Sequence, residues 1–186
     1  KTCKFKNIKK FIFMSSSSVY GIKDEDEVIE TMSLKPLTDY SKYKAKCEEV
    51  LLKHNDENFC TTILRPATVC GFSSRQRLDL VVNILTNFGY HKKKIQVFGG
   101  DQLRPNIHID DICDAMIYMD KDTTKNINGE IFNVGFENYK VSALANKVKE
   151  LLKNNIEIEY LKSNDNRSYH ISSNKILSMT DFKPKK

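Results

Sequence analysis

The sequence predicts an α/β protein. Short apolar or β-branched runs alternate with longer stretches of helical periodicity, an order that argues for α/β. The apolar run Phe11 to Met14 ends in four serines, Ser15 to Ser18, as a buried strand does when it delivers hydroxyls at its C-terminal edge. Tyr40 and Lys44 stand four residues apart in a helical stretch and so share one face.

The elements follow in order. Lys1 to Lys9 reads as the end of a helix feeding a first strand, Lys10 to Ser15. Residues 22–38 carry the acidic run Asp24 to Glu27 and Pro36, and read as an exposed loop. Asp39 is placed to cap the next helix, Tyr40 to His54, with Cys47, Val50, Leu51 and His54 on its apolar face. Thr61 to Leu64 is a β-branched strand closed by Arg65-Pro66. Leu78 to Phe88 is a helix, and Ile95 to Phe98 is a short strand ended by Gly99-Gly100. Ile107 to Ile109 is another strand, and Asp110 opens a helix through Met119, with Asp110 and Asp111 as N-terminal caps. A strand at Glu130 to Val134, a helix at Ser142 to Leu152 and a strand at Ile156 to Tyr160 complete the pattern.

Composition narrows the function classes. A length of 186 residues suits one domain or parts of two, and 40% hydrophobic with 29% charged residues fits a globular protein. No apolar run is long enough to span a bilayer and no signal peptide is visible, so no membrane role is expected. The net charge of +6 is dispersed apart from Lys92 to Lys94 and Lys183 to Lys186, and no zinc finger, RRM signature or basic helix appears. That pattern fits a solvated surface with local sites for anionic ligands, not nucleic-acid binding. The five cysteines are scattered without C-x-x-C and read as reduced thiols of a cytoplasmic protein; the four histidines lack metal-ligand spacing, so no metal is expected.

A hydroxyl, a phenol and an ammonium converging on one cleft make a proton-transfer site, and Ser16, Tyr40 and Lys44 are the candidates. A free phenol is a poor base near neutrality, and an adjacent ammonium favours its ionised form. The Tyr-x-x-x-Lys spacing alone is weak evidence. With eight Tyr and 25 Lys (thirty Lys plus Arg, five of them Arg) in 186 residues, roughly one such pair arises by chance, and Tyr90 with Lys94 is a decoy in a segment that reads as a loop. Tyr40 differs in having the serine strand upstream and an amphipathic helix downstream.

With the segment Ser15 to Gly21 and the run Asp39 to Lys44, the chain resembles the extended short-chain dehydrogenase/reductase family, specifically its NAD-dependent nucleotide-sugar epimerases and dehydratases of the UDP-glucose 4-epimerase type. The stretches Leu64 to Gly71 and Phe98 to Asp111 extend the similarity, as does Asp165 to His170. The resemblance implies the later half of a Rossmann-type doubly wound parallel sheet with a smaller mixed α/β substrate-binding domain. Residues 1–66, with 105–120 returning to them, would belong to the dinucleotide-binding domain, and residues 67–186 mainly to the substrate domain. The chain has only seven glycines and no G-x-x-G-x-x-G, so about a hundred preceding residues are expected to carry the pyrophosphate turn.

The resemblance also assigns roles. Tyr40 is the acid/base, and Lys44 supports it and binds the nicotinamide ribose. Ser16 orients the sugar hydroxyl, with Ser18 assisting. The Pro66-Ala67 backbone faces the cofactor, which is NAD, or NADP. Thr68 and Asn83 contact the substrate, while Arg104 and Arg167 grip its diphosphate bidentately. His108 is a structural hydrogen-bonder. The chain departs from its relatives at Thr68, Cys70 and Asn106, where they often carry Asn, Tyr and Phe. The implied reaction is epimerisation of a nucleoside-diphosphate sugar, at C4 through a keto-sugar. A reductase or dehydratase of the same family is the first alternative, and a non-catalytic NAD- or nucleotide-sugar-binding protein the second. Dehydration is disfavoured because Ser17-Ser18 stand where dehydratases carry an acidic residue before Val-Tyr-Gly. A homodimer is compatible with the family.

Overall fold

The computed structural model describes residues 1–23, 25–122, 126–153, 155–163 and 170–186. Three parallel strands lie side by side in the order β1 (Lys10–Met14), β2 (Cys60–Pro66), β6 (Ile131–Val134). Their register pairs Met14 with Leu64 and Pro66 with Val134, so the C-terminal ends of all three strands converge at one edge. In β2, Thr61 to Arg65 are buried, as a central strand covered on both faces must be. A second sheet has the order β3 (Thr68–Cys70), β5 (Leu103–His108), β7 (Glu137–Lys140), parallel and then antiparallel. β4 (Lys94–Phe98) and β8 (Glu157–Leu161) form a parallel pair.

Six helices accompany the strands among the described residues: α1 (Thr2–Phe5), α2 (Asp39–His54), α3 (Val81–Lys92), α4 (Ile109–Lys121), α5 (Val141–Leu152) and α6 (Asn174–Met179). Apolar side chains collect in two cores. One contains Val19, Tyr20, Leu64, Ile112, Met119 and Phe132 beside the first sheet. The other contains Leu85, Ile95, Val97, Leu144, Val148 and Ile156, where α3 and α5 cover β4. None of the described helices is long and apolar enough to cross a membrane, and no described cluster of His, Cys, Asp or Glu could hold a metal ion.

The structure corrects several expectations. Thr38, not Asp39, caps α2: its hydroxyl accepts from the Ser41 N–H, and the Ser41 hydroxyl accepts from the Thr38 N–H. The buried residues of α2 are Ser41 and Glu48, with Lys44 and Ala45 half-buried, whereas Cys47 and Val50 are exposed. Both stripes satisfy the helical period. The stripe through Glu48 turns inward because its carboxylate meets a buried arginine in β2. Tyr90 lies on α3, not in a loop. Gly89 does not end that helix; a Cβ there would sit 3.0 Å from Leu152 and 3.2 Å from Ile95, so the glycine lets α3 approach α5 and β4. β3 and β7 are unexpected: Thr68–Cys70 follows β2 after a single residue, and Glu137–Lys140 has no apolar run. Asp110 and Asp111 are not the caps of α4, which is capped by the His108 side chain. The buried Asp111 carboxylate accepts instead from the backbone N–H groups of Lys185 (2.8 Å) and Lys186 (3.1 Å).

Candidate active site

The serines after β1 do two different jobs. Ser15 and Ser17 are buried, while Ser16 and Ser18 are half-buried. Ser16 is extended (φ −164°, ψ 143°) and caps a 3₁₀ turn, Ser17–Tyr20, by accepting from the Ser18 N–H at 3.2 Å. The Ser16 and Ser18 hydroxyls lie 2.9 Å apart and form one polar cluster. Val19 and Tyr20 anchor the turn in the core. Gly21 ends it at φ 73°, where a Cβ would fall 2.0 Å from the Lys35 carbonyl oxygen, so only glycine fits.

Helix α2 brings the phenol and the ammonium to the same strand end. Lys44 Nζ donates to the Met14 carbonyl at 2.5 Å. The ammonium also lies 4.9 Å from the Phe13 ring centroid and 5.6 Å from that of Tyr40. Tyr40, one turn earlier, is 59% exposed and open to a ligand. Arg77 stands in the loop before α3. The Asp79 carboxylate, by hydrogen bond and charge, and then Tyr40, more weakly, hold the Arg77 guanidinium above its ordinary value. Arg77 and Asp79 pair through contacts of 3.1 Å and 2.6 Å.

The end of β2 supplies a close backbone passage. Pro66 is half-buried, and buried Ala67 donates its N–H to the Val134 carbonyl at 2.9 Å. A Cβ on Gly135 would lie 2.4 Å from that of Ala67, so the two strand ends meet there with no room for a side chain between them. Thr68 follows in β3, opposite Asn106 of β5.

Beyond this passage lies a cleft of about 170 Å³ lined by Val69, Cys70, Arg75, Arg77, Asn83 and Ile109 among others. Asn83 is buried rather than displayed on a helix surface. Its Oδ1 accepts from the Gly71 N–H at 3.3 Å, and its Nδ2 donates to the Arg77 carbonyl at 2.8 Å, so it braces the loop that lines the cleft. Burial, with the charge of Glu137, pushes the Cys70 thiol above its ordinary value. Gly71 has φ 105°, and a Cβ there would fall 2.6 Å from His108 Nε2. His108 accepts the Asp110 N–H at its Nδ1 (3.2 Å).

Arg104 sits half-buried in β5, opposite Tyr139, and one contact is its Nη1 donating to the Leu103 carbonyl at 3.1 Å. Asn106 Nδ2 donates to the Arg104 carbonyl at 2.7 Å, tying this departure from the relatives' aromatic residue to the arginine strand. Arg167 lies outside the described residues.

A larger concavity of about 620 Å³ runs along α2, past Leu34, Pro36, Tyr43 and Leu52. None of Ser16, Tyr40 or Lys44 lines either of the two concavities. Glu48, which sequence reasoning missed, carried a legible signal: it extends the Tyr40, Lys44 spacing by another four residues. So did Arg65, a charged residue in a β-branched strand.

Comparison with known proteins identifies the family. The model of the NAD dependent epimerase/dehydratase family matches residues 1–135. The UDP-glucose 4-epimerase of Lactobacillus helveticus is 26% identical over 203 residues, covering 96% of this chain and 60% of that protein. The dTDP-D-glucose 4,6-dehydratase of Mus musculus is 29% identical over 192 residues, covering 96% and 52%. Among solved structures, UDP-glucuronic acid 4-epimerase from Bacillus cereus, in complex with UDP-glucuronic acid and NAD, superposes with a TM-score of 0.85 at 28% identity, covering 99% of this chain and 59% of that one. The UDP-N-acetylglucosamine 4-epimerase from Methanobrevibacter ruminantium M1, in complex with UDP-N-acetylmuramic acid, gives a TM-score of 0.86 at 26% identity, covering 98% and 60%. The chain thus spans between 52% and 60% of the length of these relatives. A parallel sheet ending in a serine turn, a Tyr40–Lys44 helix docked on that end and a family match over most of its length make this chain a member of the NAD dependent epimerase/dehydratase family.

Proposed function

We propose that this chain is the catalytic and substrate-binding part of an NAD-dependent epimerase acting at C4 of a nucleoside-diphosphate sugar. The observation that carries the reading is the Lys44 ammonium, held at the end of β1 by the Met14 carbonyl and lying beside the Tyr40 ring. Residues 1–66, joined by 105–120, take the dinucleotide-binding part, and residues 67–186 mainly the sugar nucleotide.

The residues fit the nicotinamide end of a dinucleotide. The open edge where β1, β2 and β6 end is where α/β sheets bind ligands, and its backbone meets closely at Ala67 and Gly135. Lys44 and the Pro66-Ala67 backbone would hold that end. Bound NAD supplies the hydride acceptor and donor. The protein's own part is proton transfer and positioning. Tyr40 takes the proton of the sugar hydroxyl and returns it after the keto-sugar has presented its other face. Lys44 favours the ionised phenol. Ser16, paired with Ser18, fixes the hydroxyl in line with the tyrosine. Thr68 borders the sugar, Asn83 shapes the loop around it, and Arg104 with Arg167 binds the diphosphate.

The serine turn supports epimerisation over 4,6-dehydration. Elimination across C5 and C6 needs a further acid/base pair, and the turn offers Ser17, buried, and Ser18, bonded to Ser16. A homodimer through α2 belongs to the proposal, since Tyr43 (66% exposed) and Val50 (54%) lie at helical spacing on its outer face. The five free cysteines suit a reducing compartment such as the cytoplasm.

The test is a screen of UDP-, GDP-, CDP- and dTDP-sugars with the full-length protein and NAD, reading products by NMR. A 4-epimer is the expected product. A stable 4-keto-6-deoxy sugar overturns the epimerase assignment in favour of a dehydratase.

A further inference from the structure

Behind the candidate site lies a buried polar lattice that takes no part in the chemistry proposed above. Arg65 and Glu48 are each 3% exposed in their side chains. Arg65 grips the Glu48 carboxylate through Nε (3.0 Å to Oε1) and Nη2 (2.6 Å to Oε2). Its remaining nitrogen, Nη1, donates to the Tyr20 phenol oxygen at 2.7 Å and the Glu30 carbonyl at 3.2 Å. Tyr20 in turn donates to Asn133 Oδ1 of β6 at 2.7 Å. The Ser15 hydroxyl donates to Glu48 Oε1, the oxygen that Arg65 Nε also holds.

The connections are topologically specific. Ser15 and Tyr20 bracket the segment that carries Ser16 and Ser18. Glu48 follows Lys44 by four residues, as Lys44 follows Tyr40, so all three lie along one stripe of α2. The lattice therefore bolts both ends of the serine turn and the catalytic helix to one arginine in the central strand. Desolvating two charges and a phenol is costly, and well-packed apolar residues of similar volume often serve stability as well or better. What apolar packing does not provide is a directional register between the turn and the helix.

We propose that Ser15, Tyr20, Glu48 and Arg65 are positioning residues, which hold Ser16 in register with Tyr40 and Lys44. The inference rests on the proton-transfer reading of Tyr40 given above. In the free protein it predicts an ordered serine turn. In catalysis it predicts a loss confined to turnover, because a small misplacement of reacting groups costs rate while leaving the diphosphate contacts intact.

The experiment uses the full-length protein with NAD and UDP-glucose as the first probe, or otherwise the sugar nucleotide that the screen above finds converted. Tyr20→Phe removes one hydroxyl and keeps the ring; Ser15→Ala removes the other tie and serves where Tyr20→Phe does not fold. Each is made alone and together with Tyr40→Phe. Either change alone is expected to lower kcat about tenfold with KM within about twofold, and to cause little further loss in the Tyr40→Phe background, because residues acting as one unit are not additive. Hydrogen exchange over residues 15–21 should rise while that of β4 and β8 stays unchanged. Unchanged kcat in both variants, or an equal fold-loss with and without Tyr40, overturns the positioning role. Full activity in Tyr40→Phe itself overturns the functional reading and this inference with it, whereas an inactive Tyr40→Phe beside neutral Tyr20→Phe and Ser15→Ala overturns the lattice alone.

Discussion

The Lys44 ammonium lies 2.5 Å from the Met14 carbonyl oxygen, so the helix carrying Tyr40 is fastened to the residue that closes β1. Two residues further on is Ser16. One hydrogen bond thus joins the phenol-bearing helix to the hydroxyl-bearing turn, and the Phe13 ring supports the cation from the strand side.

Replacing Tyr40 by Phe in the full-length protein removes the phenolic oxygen and keeps the ring. Turnover should fall by about 10²- to 10⁴-fold, the range for a general acid–base group, with NAD affinity retained in a fluorescence titration. Tyr90→Phe is the control. That residue is exposed on α3, and its loss should leave turnover unchanged.

Arg104→Ala should raise KM for the sugar nucleotide by about tenfold or more, since a charge-assisted contact to phosphate contributes about 1.5–3 kcal/mol. Turnover should change far less, as for binding energy shared by ground and transition states. Arg104→Lys should restore part of the affinity, lacking the planar fork. Calorimetry with UDP alone gives the same ordering if the arginine holds the diphosphate, and equal affinities for all three proteins would remove it from the site.

Alkali should unfold the protein partly through Tyr20. Burial raises this phenol above its ordinary value of 10.0, against the pull of Arg65. Above about pH 10 the unfolded chain loses that proton before the folded protein does, so stability is present below pH 10 and declines as pH rises past it. Urea unfolding at pH 9 and pH 11 should show a smaller decline in Tyr20→Phe than in the parent.

Gly71 holds a left-handed backbone against His108. Gly71→Ala adds a Cβ in strained backbone and forces the imidazole from the α4 cap. A loss of about 1–3 kcal/mol in urea unfolding is expected. An unchanged midpoint would mean that the loop before α3 relocates freely.

The serine strand, the Tyr40–Lys44 helix and the alternation of elements were legible because each rests on local chemistry: an apolar run, helical spacing, turn residues. The inward face of α2 was legible only in part: Glu48 continues the Tyr40, Lys44 spacing, but its burial depends on Arg65, a partner seventeen residues away that no helical wheel includes. The continuation of α3 through Gly89 was hidden for the same kind of reason. Its glycine answers to Leu152 and Ile95, not to its neighbours in sequence. Asn83 was recognised as a candidate, yet its two hydrogen bonds to Gly71 and Arg77 depend on how the intervening loop folds back.

The outermost strand of the first sheet has a colloidal consequence. Among the described residues β1 pairs with β2 alone, and all five of its residues are only half-buried. A strand rich in phenylalanine and isoleucine, with one flank of its backbone turned away from any neighbouring strand, is a template for further pairing. Handled as residues 1–186, the chain should scatter light increasingly with concentration, and a lysine in place of Phe11 should suppress that association by charging the flank.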